Sequence, residues 1–357
     1  MINITVLSLI DRIACFYSLS PFFNNSDKQF RFTFTDDPHW CLTKDTNSIL
    51  VMMRQFIKPD VVDLELLAAL RKRYDRIAFF HDDAGGGIPR LEVVSLVDLF
   101  YTKALFRDRS LYGRELYGKE LYSDYYHSKY GIVDNETKKR AVLTDPVQLA
   151  KLRLSWNIGI GEYPRTKWKQ RITVEIARRT GLACVQWVTG KNAVSYAKAM
   201  SNPLRLPVHA RIGLISRPSI SFQRSLILEK IGKDPRFLTE PVSQRRFNRE
   251  TAMSRVVLSP FGWGELCLRD FEAVRGGAML LKPDMSHLET WPDIFVPFKT
   301  YVPFSWDAED LVEKASWYLE HEDERRTIVE AAVNRYREQH EAMQERFTAI
   351  MSEIAGI

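Results

Sequence analysis

The residues best placed by type and spacing to do chemistry lie in one run, Ser259 to Leu281, which reads SPFGWGELCLRDFEAVRGGAMLL. Its opening turn, Phe261-Gly262-Trp263-Gly264, holds two glycines that let backbone N–H groups approach a ligand closely. If a helix begins near Gly264, then Glu265, Arg269, Glu272 and Gly276 share one side of it, and Cys267, Phe271, Val274 and Ala278 gather opposite. A solvated face could carry that polar stripe, because Glu and Arg at i,i+4 form a common surface pair. The glycine turn argues for more. A helix N-terminus at the carboxyl end of a parallel strand is where open α/β sheets bind anions. A phosphate there, with a ribose against Glu272, accounts for the glycines and the stripe together.

Three further groups could serve the same chemistry. Transfer from a phosphorylated donor builds negative charge on the leaving oxygen, and fixed cations can stabilise it. The segment Ser216–Lys230 supplies Arg217, Arg224 and Lys230, with Arg224 the leading choice. The run RIAFFHDDAGGG, Arg76 to Gly87, places His81, Asp82 and Asp83 after an apolar strand, where an acceptor ligand or base belongs; a capped Asx turn is the plainer reading. Glu162, beyond the WNIGIG run, could be a cleft base or nucleophile. No GxGxxG opens a helix, so no dinucleotide cofactor is expected. Cys15, Cys41, Cys184 and Cys267 are dispersed without metal-ligand spacing, so no metal is expected and free thiols are the better reading.

Elements able to position these residues are legible as apolar, β-rich runs alternating with amphipathic helices, an α/β pattern with parallel sheets. Strands are expected at Ile4–Leu9, Phe30–Phe34, Ser48–Met53, Arg76–Phe80, Leu152–Ile160 and Ala183–Thr189, with a helix over Asp63–Asp75. A second set follows at Ala210–Ile215, Val256–Leu258, Ala278–Leu281 and Thr300–Pro303, with a helix over Phe222–Ile231 and mostly helix after Ala308. Ser201–Ala210, with two prolines, reads as the linker. The tyrosine-rich Leu111–Gly131 reads as a helical hairpin or partner face, or else as an acceptor surface. With 357 residues, two domains are expected.

A net charge of +6 is a mild basic excess, suited to an anionic substrate or to contact with an acidic membrane face. The Lys and Arg residues are spread rather than clustered, so no nucleic-acid partner is expected. No run is long enough to span a bilayer and the N-terminus lacks a basic leader, which together imply a cytoplasmic protein, in contact at most with the inner membrane face.

The motif S-P-F-G-W-G-E-x-C-x-R-D-F-E-A-V-x-x-G-A resembles the donor-binding motif of GT-B glycosyltransferases, nearest the spore-maturation and exostosin-like branches, and Thr300 to His340 is similar to that family's tail. The resemblance implies two Rossmann-like domains facing a cleft: an acceptor domain over residues 1–203, a nucleotide-sugar domain over 204–335, and a C-terminal helix over 336–357 crossing back to the first. It implies Glu272 on the donor ribose, Gly262, Trp263 and Gly264 beside the diphosphate and sugar, and Arg269 on the donor or bracing the glutamates. Glu265 sits one residue closer to its partner than in the paired-glutamate pattern and is expected to touch the sugar. The DD pair does not have the D-x-D spacing of metal-dependent glycosyltransferases. The implied activity is transfer from a nucleotide sugar to a glycan or lipid-linked glycan, with retention, metal-independent, in surface polysaccharide or glycoconjugate synthesis. An NAD-dependent nucleotide-sugar epimerase or dehydrogenase, and a non-catalytic sugar- or nucleic-acid-binding protein, are the alternatives.

Overall fold

The computed structural model describes residues 1–53, 63–81, 90–118, 120–135, 141–161, 167–181, 185 and 206–357. In the first lobe run β1 Ile2–Leu7, β2 Phe30–Thr35, β3 Ile49–Met53, β4 Arg76–His81, β5 Leu99–Thr102, β6 Ala104–Phe106 and β7 Leu152–Leu154. All but β6 form one parallel sheet in the order β2-β1-β3-β4-β5-β7. In the second lobe run β8 Leu206–His209, β9 Phe237–Leu238, β10 Ser254–Leu258, β11 Met279–Pro283, β12 Leu288–Thr290 and β13 Val302–Phe304. These, without β12, form a parallel sheet ordered β13-β11-β10-β8-β9. Parallel strands are covered on both faces, which is why β3 (ILVMM) and β11 (MLLKP) are buried at every position.

The helices of eight residues or more among the described residues are α1 Leu64–Arg73, α2 Leu121–Tyr130, α3 Lys167–Thr180, α4 Pro218–Ile231, α5 Gln244–Thr251, α6 Leu268–Arg275, α7 Leu311–Glu320, α8 Glu322–Glu341 and α9 Met343–Ala355. Helix α9 returns to the first lobe. Its Phe347, Ile350, Met351 and Ile354 share a core with Phe22, Phe80 and Trp156, and Arg153 Nε meets Glu353 at 2.6 Å. The two-sheet layout with a returning C-terminal helix is the GT-B architecture implied above. Among the described residues no helix is long and apolar enough to cross a membrane.

The carboxyl end of β5 lies close to the segment that follows β11. Directly beyond β5, β6 pairs antiparallel with β12, which follows β11, so backbone hydrogen bonds join the lobes there. The tyrosine-rich segment forms a second junction. Helix α2 packs on α4, with Tyr126 and Tyr130 against Phe222, and the Tyr126 hydroxyl donates to Trp306 O at 2.7 Å. Those rings bracket the lobes and are not a bare acceptor surface.

Several boundaries differ from expectation. The strand expected at Ala210–Ile215 is β8, four residues earlier at its start, so the expected linker runs into a strand containing Pro207. Leu152–Ile160 yields only the short β7 and a separate helical turn at Ile158–Ile160. Of the strand expected at Ala183–Thr189 only Val185 is described, and it is helical; the start of the linker lies outside the described residues.

Candidate functional site

In the second sheet the chain leaves β8 to either side, to β9 and to β10, so the loops after β8 and β10 diverge and open a crevice between them. A pocket of about 170 Å3 lies there, walled by Ile212 and Gly213 after β8, Ser259 and Pro260 after β10, and Cys267 ahead of α6. Its remaining walls are the side chains of Arg224 and Arg269. It suits a diphosphate; a base and a sugar would extend beyond it.

Both guanidiniums are held by carbonyl dipoles. Arg269 donates to Leu258 O at 3.3 Å and Arg211 O at 2.9 Å, and its Cζ lies 5.1 Å from the centre of the Phe247 ring. Arg224, from the second turn of α4, donates to Gly213 O at 2.6 Å and Phe261 O at 3.4 Å, while its Nε is buried with no hydrogen-bond partner. Among the described residues no carboxylate hydrogen-bonds or ion-pairs with either. Burial lowers both pKa values, and for Arg269 the charge of Arg224 adds to the effect. Arginine stays protonated regardless, so the pocket concentrates two desolvated positive charges and is built for an anion.

Helix α6 begins at Leu268, not at Gly264, and this overturns the expected stripe. Cys267 is the N-cap, and Asp270 closes a capping box by accepting its N–H at 2.9 Å. Glu265 therefore lies in the preceding loop and is fully buried, with Oε1 3.9 Å from Nε2 of His287. Glu272, on α6, is exposed and makes no side-chain hydrogen bond or ion pair with a described residue, but its charge favours the Arg269 cation one turn away. Arg269 braces neither glutamate. The turn ahead of α6 is closed by Gly262 N–H donating to Gly264 O at 3.0 Å, and Trp263 at its tip is 70% exposed. A Cβ on Gly262 would sit 3.1 Å from Cys267 Sγ, so the glycine keeps the turn close to the cap.

Two of the three expected donor cations are committed elsewhere. Arg217 ion-pairs with the buried Glu120 of the first lobe and donates to the Tyr122 hydroxyl at 2.5 Å. Asp134, also from the first lobe, accepts Ser219 N–H at 2.7 Å and so occupies the N-terminus of α4. Lys230 sits at the far end of α4, paired with Glu309 at 2.7 Å. Only Arg224, whose position on α4 points it between β8 and β10, reaches the pocket.

On the first lobe, His81 is the last residue of β4, buried at the carboxyl end of that strand, with its ring 6.0 Å from Phe100. Asp82, Asp83 and Glu162 lie outside the described residues. Sequence reasoning missed Tyr122, whose hydroxyl reaches Gly262 O at 3.3 Å, and His287 beside Glu265. It also missed the buried pair Asp270–Lys282. For Asp270 a signal existed in its position three residues after a small polar cap; the others depend on contacts distant in sequence. Among the described residues no three His, Cys, Asp or Glu side chains gather as a metal site would need.

Residues 229–352 match the glycosyl transferase-like family, a region that includes β10, α6 and Arg269. The resemblance drawn from the donor motif, and with it the enzyme class, is borne out by that match. No curated protein matches the sequence. Among solved structures, the chain is similar to Anabaena HepE in complex with UDP and glucose (9% identity, 99% of this chain and 100% of that one, TM-score 0.43). It is similar also to an α-glucosyltransferase in complex with UDP and a 13-mer DNA (10% identity, 99% of each chain, TM-score 0.45). A third is the UDP-forming α,α-trehalose-phosphate synthase from Burkholderia vietnamiensis (13% identity, 86% of this chain and 72% of that one, TM-score 0.40).

Proposed function

We propose that this glycosyltransferase seats the diphosphate of a nucleotide sugar between Arg224 and Arg269 and passes the sugar to a hydroxyl held at the edge of the first lobe. The observation that carries the reading is the pair of guanidiniums facing one pocket at the divergence of β8 and β10 without a carboxylate between them. In the transfer, the bond from the anomeric carbon to the diphosphate oxygen breaks, the acceptor oxygen bonds to that carbon, and the acceptor's proton passes to the departing diphosphate. Negative charge grows on the diphosphate as it leaves. Arg224, Arg269 and the N-terminus of α6 stabilise it through preorganised charges and dipoles, a role that does not call on a metal.

Glu272, exposed on α6 one turn beyond Arg269, is assigned to the ribose hydroxyls, and Glu265 to the sugar. His81 stands on the acceptor side. A glycan or lipid-linked glycan as acceptor, retention at the anomeric carbon and a place in surface polysaccharide or glycoconjugate synthesis follow from the motif resemblance. A net charge of +6 is compatible with work at an anionic membrane face.

Calorimetric titration with UDP, GDP, CMP and NAD tests the reading. A nucleoside diphosphate binds, and Glu272→Ala, at an exposed position, weakens it by about tenfold, the low end of what a charge-assisted hydrogen bond is worth. Tight binding of NAD, or binding only to nucleic acid with steep salt dependence, would refute it. Anomer-resolved NMR of the product then decides retention.

A further inference from the structure

Eleven positions separate Ser259 from Asp270, and twelve more separate Asp270 from Lys282, yet the three side chains meet in the core. Asp270 Oδ1 accepts from Ser259 Oγ at 2.5 Å and from Lys282 Nζ at 3.1 Å. Its Oδ2 accepts the Cys267 N–H at 2.9 Å and lies 3.0 Å from the same Nζ. Both charged side chains have 0% exposure, and Lys282 Nζ sits 5.3 Å from the centre of the Phe261 ring. A single carboxylate thus ties the end of β10 to the cap of α6, and anchors both to β11.

A dry ion pair is a poor source of stability, because desolvation offsets its attraction and apolar replacements of like volume often do as well. Its geometry here is informative. The backbone between the two tied points, Pro260 to Leu266, is the turn that carries Gly262, Trp263, Gly264 and Glu265, and Ser259 and Cys267 themselves wall the anion pocket. We infer that Asp270 and Lys282 are positioning residues for the donor loop: they fix both of its ends and so set where its backbone and Glu265 meet the donor, without touching it. The inference rests on the donor-site reading for its consequence, but the clamp itself can be tested without that reading.

The test uses the double variant Asp270→Asn/Lys282→Met, which removes both charges at nearly constant volume, and the single variant Lys282→Met, which keeps the ties to Ser259 and Cys267. Three quantities are read: melting temperature, the rate of alkylation of Cys267 located by mass spectrometry, and activity split into kcat and KM. The double variant keeps its melting temperature within a few degrees. Its Cys267 alkylates about tenfold faster, and kcat falls by about a hundredfold, the cost of misplacing a loop by ~1 Å. Lys282→Met melts lower than the double variant, because it leaves the buried Asp270 carboxylate without its cation, while its Cys267 alkylation and kcat change less. Should the double variant fail to fold, the test is read from Ser259→Ala, which removes one tie to Asp270, with Ser259→Thr restoring Cys267 protection. If Cys267 stays protected and kcat unchanged in folded variants, the pair is only structural and the inference falls. Faster alkylation in a protein whose wild type binds no nucleoside diphosphate would uphold the clamp while removing the donor reading.

Discussion

Replacing Arg224 by methionine keeps the aliphatic stem and removes one of the two charges facing the pocket. Two guanidinium N–H groups are already taken by Gly213 O and Phe261 O, and the buried Nε has no partner, so N–H groups remain for a ligand. One charge-assisted hydrogen bond to a phosphate oxygen is worth ~2–3 kcal/mol, which converts to about 30- to 150-fold in Kd. Coulomb attraction at ~4 Å and an effective dielectric near 20 sets a ceiling of about 4 kcal/mol. In the empty protein the sign reverses. Arg224 lowers the pKa of Arg269, so the two cations oppose one another, and removing one relieves that repulsion. The carbonyls it releases border an open pocket where water can replace it. Arg224→Met therefore melts no lower than the wild type while its affinity for a nucleoside diphosphate falls at least about thirtyfold and loses part of its salt dependence. Titration calorimetry across ionic strengths, alongside thermal denaturation, measures both. An affinity within about twofold of wild type, or a large drop in melting temperature, would refute the reasoning.

Other outcomes follow from neighbouring contacts. Arg217→Met removes the ion pair to Glu120, whose side chain is 1% exposed, and costs roughly 3 kcal/mol in chemical denaturation. Lys230→Met breaks only an exposed pair with Glu309 and leaves both stability and donor affinity unchanged. Gly159→Ala drives a Cβ to 2.4 Å from Phe271 Cε1, so α6 must shift; denaturation shows a loss of about 1–3 kcal/mol and titration a weaker donor. Buried His209, its pKa lowered from 6.5 to about 4 by burial and then by Arg269, stays neutral in the fold and takes a proton in the unfolded chain. Stability is then full above pH 6.5 and declines as pH falls toward 4; it is down by about 2 kcal/mol at pH 5, and His209→Gln flattens that slope in urea titrations at stepped pH.

The parts of the fold that local pattern controls were readable. Continuous apolar runs gave β3, β4, β10 and β11, because strands covered on both faces need such runs. Strand β5 went unread, since LFYTKALF is interrupted by Lys103 and resolves into two short strands with different partners. Arg224 and Arg269, which wall the pocket, were named by type and position. The start of α6 was not, because leucine and glutamate at Glu265–Leu266 favour helix while the capping box of Cys267 and Asp270 decides the boundary. Arg217 and Arg224 look alike in sequence. What separates them is Glu120, 97 positions away, and no local pattern could report that contact.

The strip of backbone pairing between β6 and β12 constrains how the lobes can part. Jaws free at one side would swing apart and admit substrates along the whole gap. Here the two rims are sewn together, and Arg109 adds a stitch to Glu289 at 2.9 Å. Access must come by twisting about that seam or by unpicking it, and unpicking would expose amide groups to be hydrated one by one. Whatever reaches the gap would have to pass around the seam rather than across it.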